Sequence, residues 1–423
     1  MERDIQVRCT PSRGQLPAIE EQQLFYLLVE LVPAGLGKSQ SRLPLDVCMV
    51  LDNSSSMRGD RLFQTKEAAS YVVNQLTSDD YFCLITFNDH AKVIVPRQPV
   101  HASAAMREHI SEVQASGGTE MGRGMEQALE QMSRVVAFSG VRRIILLTDG
   151  QTYGDDNRCV ELARQAQQSG IGLTVLGVGD EWNEDLLATM AAPGNSRSDY
   201  IVNAEAIIDI FREEMRLLQG IVAQEMVLVF HPQPKIVLQS FFRVAPEVAA
   251  VEFREQRGGG LAVPLGEWMG GDAQVFLTEL LLPPALPGGE QSLLGVKFSY
   301  RFPQERYPRE GKFDLGLPVV AGAAKVPVDV PDNVRRALER VTALRLQESA
   351  WHEARRGNVE QATRRLEAAA SRLLQMGEQD LAHVVRKEAE QLGRTGRTSA
   401  IGKKEIVYGT QRLGRRKDRR GSH

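Results

Sequence analysis

Short apolar runs alternate with longer amphipathic stretches between residues 45 and 219. The apolar runs have the length of strands, and the stretches between them repeat apolar residues at helical spacing. This order of strand and helix predicts an α/β domain with a doubly wound, mostly parallel sheet that is covered by helices on both faces. The predicted strands are 45–51, 81–87, 143–147, 171–178 and 200–202, and the predicted helices lie near 61–76, 120–135, 157–168 and 204–218. A further run at 91–95 follows too closely for a crossover helix, which predicts an antiparallel edge strand.

The pattern on either side of this region is different. Strand-like runs separated by Pro and Gly occupy 24–32 before it, and 225–230, 236–241, 248–253, 273–282 and 293–302 after it. These runs predict an antiparallel β-sandwich built from both flanks, with the α/β domain inserted next to it. Residues 332–392 return to helical spacing, with breaks at Gly357 and Gly377. The length leaves room for fewer than three tetratricopeptide-like hairpins, so we interpret this part as a helical hairpin or bundle.

These patterns divide the chain into five parts. We expect N-terminal sandwich strands at 1–41, the α/β domain at 42–220, the rest of the sandwich at 221–330, a helical segment at 331–393 and a disordered basic tail at 394–423.

The net charge of −3 is unevenly distributed along the chain. The last 30 residues hold ten Lys or Arg against two acidic residues, a local charge of +8, which leaves −11 for residues 1–393. An acidic body argues against nucleic acid as a ligand, because phosphate binding needs a basic folded surface. The tail is rich in Gly, Arg, Lys and Thr, and this composition predicts disorder.

The N-terminus does not have the pattern of a signal peptide, and no apolar run approaches the ~18 residues that a membrane span needs. The four cysteines are far apart in the sequence and form no Cys-x-x-Cys pair, which favours reduced thiols over disulfides or a zinc site. We therefore expect a cytoplasmic protein with no membrane span.

Candidate chemistry is concentrated in three polar loops. The first predicted strand runs directly into Asp52-Asn53-Ser54-Ser55-Ser56, a second loop ends in Thr119, and a third contains Asp149. Ligands of open α/β sheets collect at the carboxyl ends of the strands, so we expect the three loops to meet at one rim. Their donors are all oxygens, which predicts a hard cation: Mg²⁺, or alternatively Mn²⁺ or Ca²⁺.

The charge of this donor set indicates a function. Asp52 and Asp149 balance a divalent ion, and the remaining donors are neutral hydroxyls, so some positions around the ion must go to water or to an outside donor. We expect a protein partner to supply a Glu or Asp at that position.

The same residues resemble the von Willebrand factor type A (VWA) domain, a Rossmann-like fold with a metal-ion-dependent adhesion site. Its Asp-x-Ser-x-Ser, Thr and Asp pattern is matched by Asp52, Ser54, Ser56, Thr119 and Asp149, and the similarity continues through 117–128, 144–150 and 177–179. The resemblance implies that the two serines and the threonine contact the metal or switch on ligand binding, while the aspartates often act through water. The arrangement of the flanking strands is also similar to that of inter-alpha-trypsin-inhibitor heavy chains and bacterial relatives.

Two other functions are compatible with a metal site of this kind. Metal-bound water could in principle hydrolyse an ester or phosphate, but no His or Lys adjoins the three motifs as a general base, and a phosphate-binding Gly-x-x-x-x-Gly-Lys loop is missing from the sequence. We therefore expect no enzyme. A regulatory subunit beside an ATPase or chelatase would use the same binding chemistry, and the sequence does not distinguish it.

The predicted tail contains one further candidate site. Thr410 stands three residues before Leu413, with basic residues close by. This resembles ligands of forkhead-associated domains, which read a phosphothreonine and the residue three positions later, and it would require a Ser/Thr kinase. The simpler interpretation is a solvated basic tail.

Overall fold

The computed structural model describes residues 5–33, 42–133, 138–191, 196–256, 258–269, 273–302, 305, 307–321 and 329–415. The α/β domain contains a six-stranded sheet in the order β6-β5-β4-β7-β8-β9, parallel except for the edge strand β6. The elements are β4 (Leu45–Asp52), α1 (Asp60–Gln75), β5 (Tyr81–Phe87), β6 (Ala91–Pro99), α2 (Ser103–Ser111), α3 (Met121–Ser133), β7 (Val141–Thr148), α4 (Asp156–Gln168), β8 (Gly172–Val178), α5 (Glu184–Ala191), β9 (Arg197–Ile201) and α6 (Ile207–Gln219). The predicted α/β fold and its antiparallel edge strand are confirmed.

The apolar runs become strands because both faces of the sheet are covered. Every residue of β4 is buried. One face packs with α1, α2 and α6, and the other packs with α3, α4 and α5. The helices α2 and α5 were not predicted, since their nine and eight residues give only about two turns of periodicity.

A two-sheet β-sandwich lies beside the α/β domain. One sheet has the order β1-β3-β15-β11-β12 and the other has the order β13-β14-β10-β16-β17-β2. The strands are β1 (Ile5–Pro11), β2 (Leu16–Ala18), β3 (Gln23–Pro33), β10 (Ile221–Pro232), β11 (Val237–Ala245), β12 (Ala249–Ala250), β13 (Arg254–Glu255), β14 (Leu261–Met269), β15 (Gln274–Leu282), β16 (Gly289–Arg301) and β17 (Arg309–Ala321). The N-terminal strand β3 pairs antiparallel with β15, which confirms the predicted pairing of the two flanks.

The strands β1, β2, β13, β14 and β17 were not among the predicted runs, and two further details of the sandwich also differ from the prediction. The strand expected at 248–253 is reduced to Ala249–Ala250, and β2 pairs parallel with β17 rather than antiparallel. Alternate residues of β3 point into the sandwich core, where Leu27 is fully buried. On the other face Leu28 packs with the C-terminal helices, so both faces of this sheet are covered.

The C-terminal part is helical and packs on the outer face of the five-stranded sheet. Its helices are α7 (Asp332–Arg355), α8 (Val359–Gln375), α9 (Gln379–Thr395) and α10 (Ala400–Gln411). The predicted breaks at Gly357 and Gly377 are confirmed, and both glycines adopt a left-handed conformation with φ of 80° and 83°. No helix in the described part of the chain is long and apolar enough to cross a membrane.

The prediction of disorder from residue 394 is wrong as far as residue 415. The helix α10 packs between α7, α9 and β9, with Ile406 and Thr410 fully buried, and residues 412–415 form a short 3₁₀ helix. Two basic residues of this segment pair with acids of the α/β domain: Lys403 of α10 lies 3.3 Å from Glu184, and Arg412 of the 3₁₀ helix lies 2.5 Å from Asp199. Residues 416–423 lie outside the described residues.

The candidate phosphothreonine site at Thr410 and Leu413 is inaccessible in this fold for the same reason. The Thr410 hydroxyl is fully buried and donates a hydrogen bond of 2.8 Å to Oε1 of Gln347 on α7. Leu413 is 3% exposed. A forkhead-associated domain cannot reach either side chain in this fold, so we do not retain the phosphothreonine site.

Candidate metal-ion site

Asp52 is the last residue of β4, and its carboxylate connects two loops of the rim. Its Oδ1 accepts a hydrogen bond of 2.8 Å from the backbone N–H of Ser54, and its Oδ2 accepts one of 2.7 Å from the Thr148 hydroxyl at the end of β7. Asp52 is fully buried. Burial raises the pKa of Asp52 to about 6, although the hydrogen bonds from Ser54 and Thr148 act to lower it.

Ser54, Ser56 and Asp149 form a continuous chain of oxygens at this rim. The two serine hydroxyl oxygens are 3.0 Å apart, and the Ser56 hydroxyl donates a hydrogen bond of 2.7 Å to Oδ1 of Asp149. Ser54 and Asp149 are buried, whereas Ser56 is exposed. The cluster is therefore accessible to solvent on the side of Ser56.

Thr119 reaches the same rim through its loop. The backbone N–H of Ser55 donates to the carbonyl of Gly117 at 3.0 Å, and the N–H of Ser116 donates to the carbonyl of Asn53 at 2.8 Å. The Thr119 hydroxyl lies 3.8 Å from the position that a Cβ would occupy on Gly150. The structure thus brings the loops of all five candidate residues together.

Arg61 is part of the site and was not predicted from the sequence. It lies in the first turn of α1, and its Nη1 donates a hydrogen bond of 2.5 Å to Oδ2 of Asp149. Its side chain is 33% exposed, and that of Asp149 is fully buried. Its position in the sequence could have indicated this role, because a basic residue at a helix N-terminus is electrostatically unfavourable unless an acid compensates it.

The donor set fits a hard divalent cation. Two buried carboxylates, Asp52 and Asp149, lie at this rim, and the guanidinium of Arg61 pairs with Asp149, so these three groups leave a charge of −1 beside three hydroxyls. Such oxygens are the ligands that Mg²⁺, Mn²⁺ and Ca²⁺ accept. Among the described residues, no group of three or more His, Cys, Asp or Glu is placed to hold a metal ion, so any cation here would depend on the hydroxyls of Ser54, Ser56 and Thr119.

Two family models match this chain. One is described as the von Willebrand factor type A domain and covers residues 46–213, which include all five candidate residues. The chain contains a VWA domain. The second model, described as the Sll0103-like C-terminal alpha-helical domain, covers residues 332–416 and so includes α10.

Relatives of the VWA domain come from bacteria and from mammals. The chain is 32% identical over 277 residues to the uncharacterized protein sll0103 of Synechocystis. The aligned region covers 64% of this chain and 65% of that protein. It is 26% identical to the uncharacterized protein YfbK of Escherichia coli, over 48% of this chain and 39% of that protein. The similarity to inter-alpha-trypsin inhibitor heavy chain H4 of Sus scrofa is 30% over 44% of this chain and 22% of that one. Each of these three matches spans less than two thirds of the relative's own length.

Two solved structures share the architecture of the entire chain. A von Willebrand factor type A protein from Catenulispora acidiphila superposes with a TM-score of 0.79 at 17% identity, covering 97% of both chains. The ArnB paralog VWA2 from Sulfolobus acidocaldarius gives a TM-score of 0.59 at 14% identity, covering 97% of this chain and 99% of that one. At these identities the likeness shows the fold alone, here a VWA domain combined with additional sheets and a C-terminal helical domain.

A second pair of acids next to the VWA motif has a structural role. Asp155 Oδ2 accepts a hydrogen bond of 2.7 Å from the backbone N–H of Gly122, and its Oδ1 accepts one from the Thr152 hydroxyl. Asp156 accepts one of 3.1 Å from the side-chain amide of Asn183. Asp155 joins the start of α4 to the start of α3, and this contact supports the loop that carries Thr119.

Proposed function

We propose that the VWA domain is a protein-binding module that depends on a divalent metal ion, with Mg²⁺ as the expected ion and Mn²⁺ or Ca²⁺ as alternatives. Ser54, Ser56 and Thr119 would hold the ion together with Asp52 and Asp149. When bound, the ion would supply a positive charge that attracts a Glu or Asp side chain of a protein partner. The observation that supports this most is the hydrogen-bonded chain from Ser54 through exposed Ser56 to buried Asp149.

The side chains around this chain of oxygens favour binding over catalysis. Among the described residues, the charged group that contacts Asp149 is the guanidinium of Arg61, whose nitrogens donate hydrogen bonds and do not accept them, so it is unsuited to act as a general base. Tyr153 lies next to the site: its backbone N–H donates to the Thr119 carbonyl at 3.1 Å, and its side chain is 75% exposed. Exposed aromatic residues are typical anchors of protein interfaces, so Tyr153 is suited to contact a partner beside the metal.

We also propose a cytoplasmic location. All four cysteines are free thiols, and Cys48 and Cys83 lie opposite each other in β4 and β5 without forming a disulfide. Free neighbouring thiols are compatible with a reducing compartment.

Capture from a host extract tests the proposed function. The immobilised full chain is expected to retain a partner in Mg²⁺, to release it in a chelator, and to regain it when Mg²⁺ is restored. Ser54→Ala should lose this dependence, while Ser55→Ala, which changes an exposed neighbour of the motif, should keep it. Retention that is indifferent to the chelator would contradict the proposal. Recovery of an ATPase, together with stimulated ATP turnover, would favour the regulatory-subunit alternative.

A further inference from the structure

The Arg61 side chain packs against a glycine of a neighbouring loop. Gly179 is the residue that follows β8, and Nη2 of Arg61 lies 3.2 Å from the position that a Cβ of residue 179 would occupy. Gly179 has a φ of 70°, which favours glycine, and the missing side chain leaves room for the guanidinium. This contact and the ion pair with Asp149 hold Arg61 over the rim.

The loop that contains Gly179 is fixed in turn by the C-terminal helix. The ammonium group of Lys404 on α10 donates to the carbonyl oxygens of Asp180 and Trp182, at 2.7 and 3.1 Å. The Trp182 indole N–H donates to the Gly179 carbonyl at 2.7 Å. Lys404 is 2% exposed. The position of Arg61 is therefore supported by buried contacts beyond the VWA sheet.

The ion pair has a direct consequence for the metal-ion site. Asp149 uses Oδ1 to accept from Ser56 and Oδ2 to accept from Arg61, so a cation held at Ser56 and Asp149 shares that carboxylate with a permanent positive charge. Like charges close together in a partly buried setting repel each other. We propose that Arg61 determines the affinity of this site for divalent cations, as an internal cation that competes with the metal ion for Asp149. The inference rests on the proposed metal-binding function.

An opposite role for Arg61 can be distinguished by the sign of its effect. If Arg61 only orients Asp149, its removal frees the carboxylate to rotate and weakens metal binding. If Arg61 competes for the charge of Asp149, its removal strengthens metal binding. Arg61→Gln removes the charge, and Arg61→Lys retains it. Arg216→Gln is a matched control. Arg216 pairs with Glu213 at 2.7 Å near the end of α6, so this substitution also removes one positive charge from an ion pair, but in another part of the fold.

Calorimetric titration of the full chain with Mn²⁺ tests the inference. Arg61→Gln is expected to bind Mn²⁺ roughly three- to tenfold more tightly than the unchanged protein, a range that allows for solvent screening of a partly exposed pair. Arg61→Lys and Arg216→Gln should remain within about twofold of it. Thermal unfolding provides a second measurement: Mn²⁺ should raise the Tm of Arg61→Gln by more than that of the unchanged protein.

The outcomes separate this inference from the function on which it rests. Equal or weaker Mn²⁺ binding by Arg61→Gln, in the presence of clear binding by the unchanged protein, would overturn the role of Arg61 alone. Binding by Arg61→Gln but not by the unchanged protein would support competition most strongly. If neither protein binds Mn²⁺ and neither gains thermal stability from it, the metal-binding function fails and the inference fails with it.

Discussion

The hydroxyl of Ser56 donates a hydrogen bond of 2.7 Å to Oδ1 of Asp149, although 93 positions of sequence separate the two residues. The bond joins the loop after β4 to the loop after β7, which are neighbouring parallel strands. Ser56 is exposed and Asp149 is buried, so this hydrogen bond joins a solvent-exposed hydroxyl to a buried carboxylate. The proposed metal site depends on this connection.

The contact between Thr148 and Asp52 should contribute measurably to stability. Thr148→Val keeps the shape of the side chain but removes a donor to a buried carboxylate, so we expect the free energy of unfolding to fall by about 1 to 3 kcal/mol. Thr189→Val is the matched control, because its hydroxyl bonds an exposed helix carbonyl on α5. Chemical denaturation of both variants measures the difference, and equal stabilities would contradict the structural role of the Thr148 bond.

The sandwich can be tested with two leucines of one strand. On β3, Leu27 is fully buried and Leu24 is 47% exposed. Leu27→Ala is expected to lower the free energy of unfolding by about 2 to 5 kcal/mol, because it leaves a cavity in the core. Leu24→Ala should change it by less than about 1 kcal/mol. If the two variants unfold alike, β3 does not occupy the position between β1 and β15.

The helix α10 can be tested in the same way. Ile406 is fully buried and Ile401 is 45% exposed on the same helix. Ile406→Ala should destabilise the protein by about 2 to 5 kcal/mol, while Ile401→Ala should be within about 0.5 kcal/mol of the unchanged protein. The two variants would be equally stable if this segment were the disordered tail that its composition suggests.

Partner capture should depend on Tyr153 separately from the metal. Because the side chain is 75% exposed beside Thr119, Tyr153→Ala is expected to leave Mg²⁺ affinity unchanged while weakening partner binding by about 1 to 2 kcal/mol. Tyr307→Ala, at a tyrosine of the sandwich that is 72% exposed, is the control and should bind the partner normally. Surface plasmon resonance with the captured partner measures both, and a Tyr153 variant that binds at full strength would place the interface elsewhere.

The sequence predicted the central sheet well because its strands are buried on both faces. The runs at β4, β5, β7 and β8 are almost continuously apolar, and such runs have few alternatives to a covered parallel sheet. The positions of the metal-site loops follow from that sheet, since residues at the carboxyl ends of parallel strands share one edge.

The role of Arg61 and the order of α10, which the sequence did not predict, depend on contacts between distant parts of the chain. Arg61 acquires its role from a carboxylate 88 positions away, and no local pattern indicates which way its side chain points. The basic composition of α10 and of the 3₁₀ helix after it predicts disorder, but Glu184 pairs with Lys403 and Asp199 pairs with Arg412 in the folded chain. Both acids lie in the VWA domain, so the composition of the C-terminal segment taken alone does not include them.

The most direct test of the central claim is a calorimetric titration of the full chain with Mg²⁺, comparing Ser56→Ala with Ser55→Ala. Both serines are exposed, but only Ser56 contacts Ser54 and Asp149, so both variants should fold normally. We expect the unchanged protein and Ser55→Ala to bind one Mg²⁺ with similar affinity, and Ser56→Ala to bind about tenfold more weakly or worse, a loss of about 1.4 kcal/mol. Equal affinities for the two variants, or no binding of Mg²⁺ by either the unchanged protein or Arg61→Gln, would contradict a metal site at these residues.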